Sequence, residues 1–318
     1  MRYTAWPNSS TTPADRFSRA RRVVLGQRPG VVPGVVAAHL APGVDLVCAC
    51  RQLGHLGITD PIPAPGAVTV HPDAGNPSVL GTDRHVVRGW VELCGKVASA
   101  KFPRKWPTLF DHRAIFVDGP RVGEPPTPVR VTLPDGRVVS SEEEGLDRIL
   151  SADLGRDVAL ARTAPEEPSL EEYWPDIDGL AHREAVTDEA MPPGTFFDIG
   201  VVHVLTTATL DRLRQLSPES RFEVRRFRPN IVVAPTDGQA GFIENDWVGR
   251  TVVIGDDVRL QITKPCTRCV MTTLPQGDLP KDPGILRTAA QHNDVNVGVY
   301  ASVDRSGRVR RGDAVSLL

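Results

Sequence analysis

Two cysteines at C-x-x-C spacing, Cys266 and Cys269, stand in the run Lys264-Pro-Cys-Thr-Arg-Cys-Val-Met-Thr-Thr273, with Arg268 between them. A thiolate is a soft ligand for a transition metal, and an adjacent guanidinium favours thiolate over thiol. The segment can therefore offer one activated sulfur at the mouth of a strand. The same spacing also suits two small packed thiols, because free cysteine is among the most buried residue types. Cys48-Ala-Cys50 adds two sulfurs, enough with the later pair for a structural zinc, although C-x-C is not the usual spacing for one. His55, His71 and His85 are scattered and read as loop or surface histidines.

A second cluster is Arg225-Arg226-Phe-Arg228-Pro-Asn230. Three arginines in four residues read as a solvated basic strand. The alternative is anion binding: a rigid guanidinium fork suits a phosphate, and an asparagine both donates and accepts. Ile231-Val-Val233 is the buried strand that would fix the cluster. Upstream, Phe196 to Leu205 reads as a strand and Thr206 as the N-cap of a helix with Leu210, Leu213 and Leu216 at helical spacing. The hydroxyls and free N–H groups of that turn suit a phosphate as well.

The elements before these clusters are uneven. Residues 1–92 contain only six of the 39 acidic residues, are broken by Pro-Gly pairs, and sustain neither helical nor strand periodicity. From Gly95 the chain reads as a folded domain. Lys101 and Arg104 suggest a solvated basic face, and Trp106 to Phe110 a short helix or turn. Pro128 to Leu133 alternates like a strand, Asp135-Gly136 signals a type I′ hairpin, and Val138 and Val139 begin the return strand. Ser141 before three glutamates looks like a helix N-cap, with Leu146, Ile149 and Leu150 as the apolar face and Gly155 as the stop; Val158 to Ala161 is another strand. Ala164 to Pro193 is acidic and proline-rich and reads as a linker, pinned by Tyr173 and Trp174, its glutamates Glu166, Glu167, Glu171 and Glu172 solvated.

A chain of 318 residues is long enough for two domains with real cores. A net charge of −2 argues against nucleic-acid or anionic-membrane surfaces as partners, and no run approaches a membrane span. Five cysteines, an odd number, with no secretory signal, point to a reducing cytoplasm.

The motif order Arg226-Phe-Arg-Pro-Asn230, Trp247, Ile254-Gly255, Cys266-x-Arg-Cys-x-x-Thr-Thr273, Gly298-x-Tyr300 and Gly312-Asp-x-Val315 resembles the MOSC family, the molybdenum-cofactor sulfurase C-terminal domains. That family includes the mitochondrial amidoxime-reducing component and its bacterial relatives. The resemblance runs from about Thr195 to Leu318, with a weaker match over Gly95 to Ala161, where Ser99-Ala-Lys101 to Pro107 is similar to a segment near the family's substrate entrance. It implies a mostly-β fold with some helices (α+β), a MOSC β-barrel core preceded by a partial or divergent N-terminal β-barrel. The expected segments are 1–92, 93–175 and 176–318. The family's opening lysine strand and G-D-R motif have no clear counterpart, since no lysine precedes Lys96 and Gly81-Thr-Asp83-Arg84 is the nearest echo. Residues 1–92 are accordingly read as a divergent N-terminus or one translated from a shifted frame or wrong start.

By the same resemblance Cys269 is the catalytic residue and ligand of molybdenum, and the cofactor is Mo-molybdopterin. Thr206, Arg228, Asn230, Thr267, Arg268, Tyr300 and Asp198 would bind it, with Cys266 a packed thiol. The implied activity is an oxidoreductase reducing N-hydroxylated or N-oxide-type small molecules. Its electrons would come from a separate donor protein of ferredoxin or flavoprotein type, as no further cysteine cluster supplies an iron–sulfur domain. A non-catalytic carrier of cofactor or sulfur, and a zinc-stapled protein, are the alternatives.

Overall fold

The computed structural model describes residues 36–39, 89–92, 96–118, 128–161, 165–193, 195–200, 202–235, 238–307 and 309–318. Cys48, Cys50, His55, His71, His85, the Gly81 to Arg84 segment and most of residues 1–92 lie outside the described residues. In chain order the strands are Val36–His39 (β1), Gly89–Glu92 (β2), Arg113–Phe116 (β3), Val129–Thr132 (β4), Val138–Ser140 (β5), Val158–Ala161 (β6), Ser169–Trp174 (β7), Ala185–Ala190 (β8), Val202–Thr206 (β9), Ile231–Val233 (β10), Thr251–Ile254 (β11), Val258–Thr267 (β12), Asn296–Arg305 (β13) and Arg311–Leu317 (β14). The α-helices are Leu146–Leu154 (α1), Thr207–Leu216 (α2), Val224–Phe227 (α3) and Gly284–Asn293 (α4).

The mostly-β expectation holds. Strands β9 to β14 make a nearly closed six-strand barrel, and β1 adds to it beside β14 in the order β1-β14-β11-β12-β13-β9-β10. Neighbours pair antiparallel except β9 and β10, which run parallel. A parallel pair needs a crossover, and α2 with α3 provides it. Both strands of that pair are buried at every position, as strands covered on two faces must be. The barrel interior is a branched aliphatic core including Val204, Val233, Ile254, Leu260, Ile262 and Val299. A second core, containing Leu205, Leu210, Leu213, Phe222, Phe227 and Ile285, fills the space under α2 and α4.

Residues before the barrel build smaller sheets, β2 with β6, β3-β4-β5, and β7 with β8. Trp106, Leu109, Leu133 and Leu150 form their core, and Met271, Cys269 and Leu274 of the barrel pack against it. The loop that carries Cys269 is thus walled by residues more than a hundred positions upstream.

Several local expectations need correction. The β4–β5 turn is not type I′: only Gly136 has positive φ, at 88°, and Gly136 N donates to Leu133 O at 2.9 Å. Pro134 favours an ordinary type I turn, with Gly136 as the left-handed residue that closes a longer hairpin loop. Ser141 does not cap α1; its hydroxyl accepts from Val129 N, and the helix starts at Leu146 behind Gly145. The presumed linker from Ala164 to Pro193 contains the β7–β8 hairpin, because Leu170, Glu172 and Tyr173 of β7 turn inward. Arg225 and Arg226 lie in α3, not in a strand, and Arg228 ends that helix in the left-handed conformation at φ 53°. The strand read from Phe196 begins at Val202, leaving Asp198 in the preceding loop.

Candidate functional site

β12 reaches its end through irregular pairing with β13. The register shifts between Ile262 and Lys264 and again between Pro265 and Thr267. Such irregularities increase local twist and re-aim side chains. Immediately beyond, Cys269 precedes a single 3-10 turn, Val270–Thr273, and its carbonyl accepts from Thr272 N at 3.2 Å and Thr272 Oγ1 at 3.0 Å. Thr267, Arg268, Cys269 and Met271 all line one cleft.

Four other segments complete its walls. Arg226, Phe227 and Arg228 come from α3 and its end, Tyr300 from β13, Asp198 from the loop before β9, and Lys101 and Phe110 from the segment between β2 and β3. Of the residues singled out in the sequence, Cys269, Arg228, Thr267, Arg268, Tyr300 and Asp198 are therefore brought together. Gly200 is what lets the Asp198 loop lie on Tyr300: a Cβ there would stand 2.6 Å from Tyr300 Cδ1.

Thr206 and Asn230 do not line the cleft. Thr206 Oγ1 caps α2 by accepting from Thr209 N at 3.1 Å and donates to Glu244 Oε2 at 2.7 Å. Thr209 Oγ1 donates to the same oxygen. A buried carboxylate from this chain thus occupies the α2 N-terminus, where an external phosphate was expected. Asn230 pairs with the backbone of His203, its N donating to His203 O at 2.9 Å and its Oδ1 accepting from His203 N at 2.7 Å. That extends the β9–β10 ladder by one residue and fixes the start of β10 next to Arg228.

Arg228 is strained. A non-glycine residue in the left-handed region costs roughly 1–2 kcal/mol, and here a proline follows, which restricts it further. Such outliers gather at functional sites.

Arg226 is the largest of the side chains that are almost fully enclosed, at 1% exposure. Its guanidinium donates to the carbonyls of Arg221, Thr272, Leu274 and Pro280 at 2.8–3.2 Å. It therefore fastens the turn after Cys269 from behind, and burial pulls it below the ordinary arginine value. The expectation of a solvated basic strand fails here most clearly.

Lys101 is also buried, at 4% exposure. Its Nζ lies 2.8 Å from Glu172 Oε2 and 3.3 Å from Asp198 Oδ2. Burial opposes its charge, but the Glu172 and Asp198 carboxylates more than reverse this and hold Lys101 well above the ordinary lysine value. Neither Lys101 nor Glu172 sits on a solvated face; Arg104, with 62% of its side chain exposed, does. Arg104 lies over the Tyr173 ring at 4.1 Å.

The Arg268 charge goes to the other cysteine. Arg268 Nη1 donates to Cys266 Sγ at 2.8 Å and Nη2 to Phe227 O at 3.0 Å. Burial pushes the Cys269 thiol up to about 11, against the opposing pull of Lys101 and Arg268. The ligand-free chain therefore holds Cys269 as a thiol, contrary to the activation expected from an adjacent guanidinium.

The donor set fits an anionic group bearing a soft metal. Arg268 Nε is buried without a hydrogen-bond partner among the described residues, in a cleft lined by Lys101, Arg226, Arg228 and Arg268 against the single carboxylate of Asp198. No group of three or more His, Cys, Asp or Glu able to hold a metal occurs among the described residues. Nor is any described helix long and apolar enough to cross a membrane.

Residues 195–316 match the family model described as MOSC domain. Mitochondrial amidoxime-reducing component 1 of Mus musculus is 31% identical over 128 residues. The match covers 36% of this chain and 36% of that protein, so it spans about a third of the relative's length. Among solved structures, the YUAD protein from Bacillus subtilis is similar at 16% identity and a TM-score of 0.33, over 40% of this chain and 69% of that one.

Proposed function

We propose, from the premise that residues 195–316 form a MOSC domain, that this chain is a molybdenum-cofactor-binding oxidoreductase. Cys269 would be the metal ligand. The substrates would be N-hydroxylated or N-oxide-type small molecules, and the electrons would come from a separate donor protein of ferredoxin or flavoprotein type. One observation carries the reading: a thiol and three arginines converge in one cleft, with a buried guanidinium N–H left for a ligand acceptor. The mouse relative, named as an amidoxime-reducing component, supports the reaction class.

The bound cofactor would supply two-electron redox chemistry at molybdenum. The rest falls to the chain. Cys269 gives up its proton on ligation, which couples cofactor loading to pH because the thiol stands near 11 without a metal. Arg228 and Arg268 hold the anionic part by charge-assisted hydrogen bonds, and Thr267 and Tyr300 flank the same wall. Phe110, Phe227 and Met271 exclude water and so strengthen those contacts. Asp198 and Lys101 stand in the same cleft and would orient a polar substrate.

Cys269→Ser exchanges a soft donor for a hard one. With an N-hydroxylated amidine as substrate and a reduced dye as electron source, the variant is expected to lose activity and bound molybdenum while keeping the unfolding midpoint of the cofactor-free parent. Activity surviving in this variant sinks the assignment. Elemental analysis of the parent decides among the other readings: sulfane sulfur without molybdenum indicates a carrier, and stoichiometric zinc a structural staple.

A further inference from the structure

We infer that Cys266 is a positioning residue for Arg268, a guanidinium of the cleft wall, and that it fixes the direction of the buried Nε. The inference rests on the proposed cofactor site and deepens it. Cys266 is fully buried near the end of β12 and does not line the cleft. Two of the three Arg268 nitrogens have fixed acceptors. Nη1 is held by Cys266 Sγ at 2.8 Å and Nη2 by the Phe227 carbonyl at 3.0 Å. The guanidinium carbon also lies 5.9 Å from the centre of the Phe227 ring. A guanidinium is planar and rigid, so anchoring two nitrogens fixes the direction of the third. That third nitrogen is the buried one with no partner among the described residues.

An apolar residue at position 266 would fill the same space but release Nη1, and the fork would no longer be held in one orientation. This separates positioning from simple packing, because the two roles rank substitutions in opposite order. If the sulfur acts as an acceptor, Cys266→Ser preserves the function and Cys266→Val destroys it. If it acts only as a small apolar filler, valine is tolerated and serine, a buried hydroxyl, is not.

The experiment measures pterin retained per purified full-length chain in the parent, Cys266→Ser, Cys266→Val, Arg268→Lys and the Cys266→Val/Arg268→Lys double variant. Retention near the parent's level is expected for Cys266→Ser and roughly tenfold weaker retention for Cys266→Val, the order of effect of losing a hydrogen bond to a charged group. The double variant is expected to fall no further than Arg268→Lys alone. Cys266→Val retaining pterin while Cys266→Ser loses it overturns the inference. Should the parent itself hold no pterin, the cofactor reading fails separately. Unfolding midpoints of the ligand-free single and double variants then test the Cys266–Arg268 pair alone: non-additive shifts uphold it, and additive shifts overturn it.

Discussion

Lys101→Met removes the buried cation of an ion cluster on the cleft wall. Lys101 Nζ faces two carboxylates, Glu172 at 2.8 Å and Asp198 at 3.3 Å, with side-chain exposures of 5%, 7% and 17%. At an effective dielectric near 20, each attraction is worth about 5 kcal/mol, and desolvation of the ions offsets several kcal/mol of that. Removing the lysine leaves two buried carboxylates without their cation, and breaking such a pair costs about 3–5 kcal/mol. Glu172→Gln costs less, about 1–2 kcal/mol, because the amide oxygen still accepts from Nζ and Asp198 still balances the charge. Lys101→Met/Glu172→Gln is expected to be more stable than Lys101→Met alone, since one stranded charge is gone. Urea unfolding at pH 7 gives all four midpoints. The lysine is held above the ordinary lysine value of 10.5, so its contribution is fully present below that pH and is lost as pH rises through the higher native value. The gap between parent and Lys101→Met therefore stays constant from about pH 6 to 9 and closes only above about 10.5. A Lys101→Met cost under about 1 kcal/mol, or a Glu172→Gln cost equal to it, would refute the reasoning.

Arg226 and Glu244 are buried as well. Arg226→Met strips donors from four backbone carbonyls, and relief of a buried charge compensates only in part; a loss of about 3 kcal/mol is expected. Arg226→Lys keeps the charge but cannot span four carbonyls, so it should fall between, with Cys269 alkylation by iodoacetamide faster in both variants; unchanged alkylation would contradict the clamp. Burial pushes the Glu244 carboxyl up, against the hydrogen bonds from Thr206 and Thr209, so its contribution is present below the ordinary glutamate value of 4.5 and lost as pH rises through the native value. Glu244→Gln keeps the acceptor without the charge and should melt higher than the parent at pH 8 while matching it near pH 4.5; the reverse order would show that the buried carboxylate is stabilised as an anion.

What could be read in advance was whatever is carried by spacing along the chain. The C-x-x-C with its arginine, the Arg-Pro-Asn step and Tyr300 are local patterns, and their side chains or immediate neighbours meet in the cleft. Thr206 was legible as a helix cap because capping is a contact across three residues. Its partner Glu244 was not, because 38 residues separate them and nothing in either neighbourhood marks the other. Lys101 and Glu172 fail for the same reason at a separation of 71. Each looks like a surface charge alone, and only the pairing makes burial tolerable. Arg226 misled through composition: an arginine-rich run suggests solvent, whereas this guanidinium finds its acceptors on backbone carbonyls, which carry no sequence signal.

The cleft walls come from Lys101, Phe110, Asp198, the end of α3, the turn after β12, and Tyr300. Contacts so distant in sequence require loop closures that a folding chain makes slowly. During synthesis, the Cys269 turn is made before Tyr300, which lines the same cleft. A ligand that needs every wall must therefore meet a nearly finished chain, and the order of events becomes folding of the barrel first and loading second.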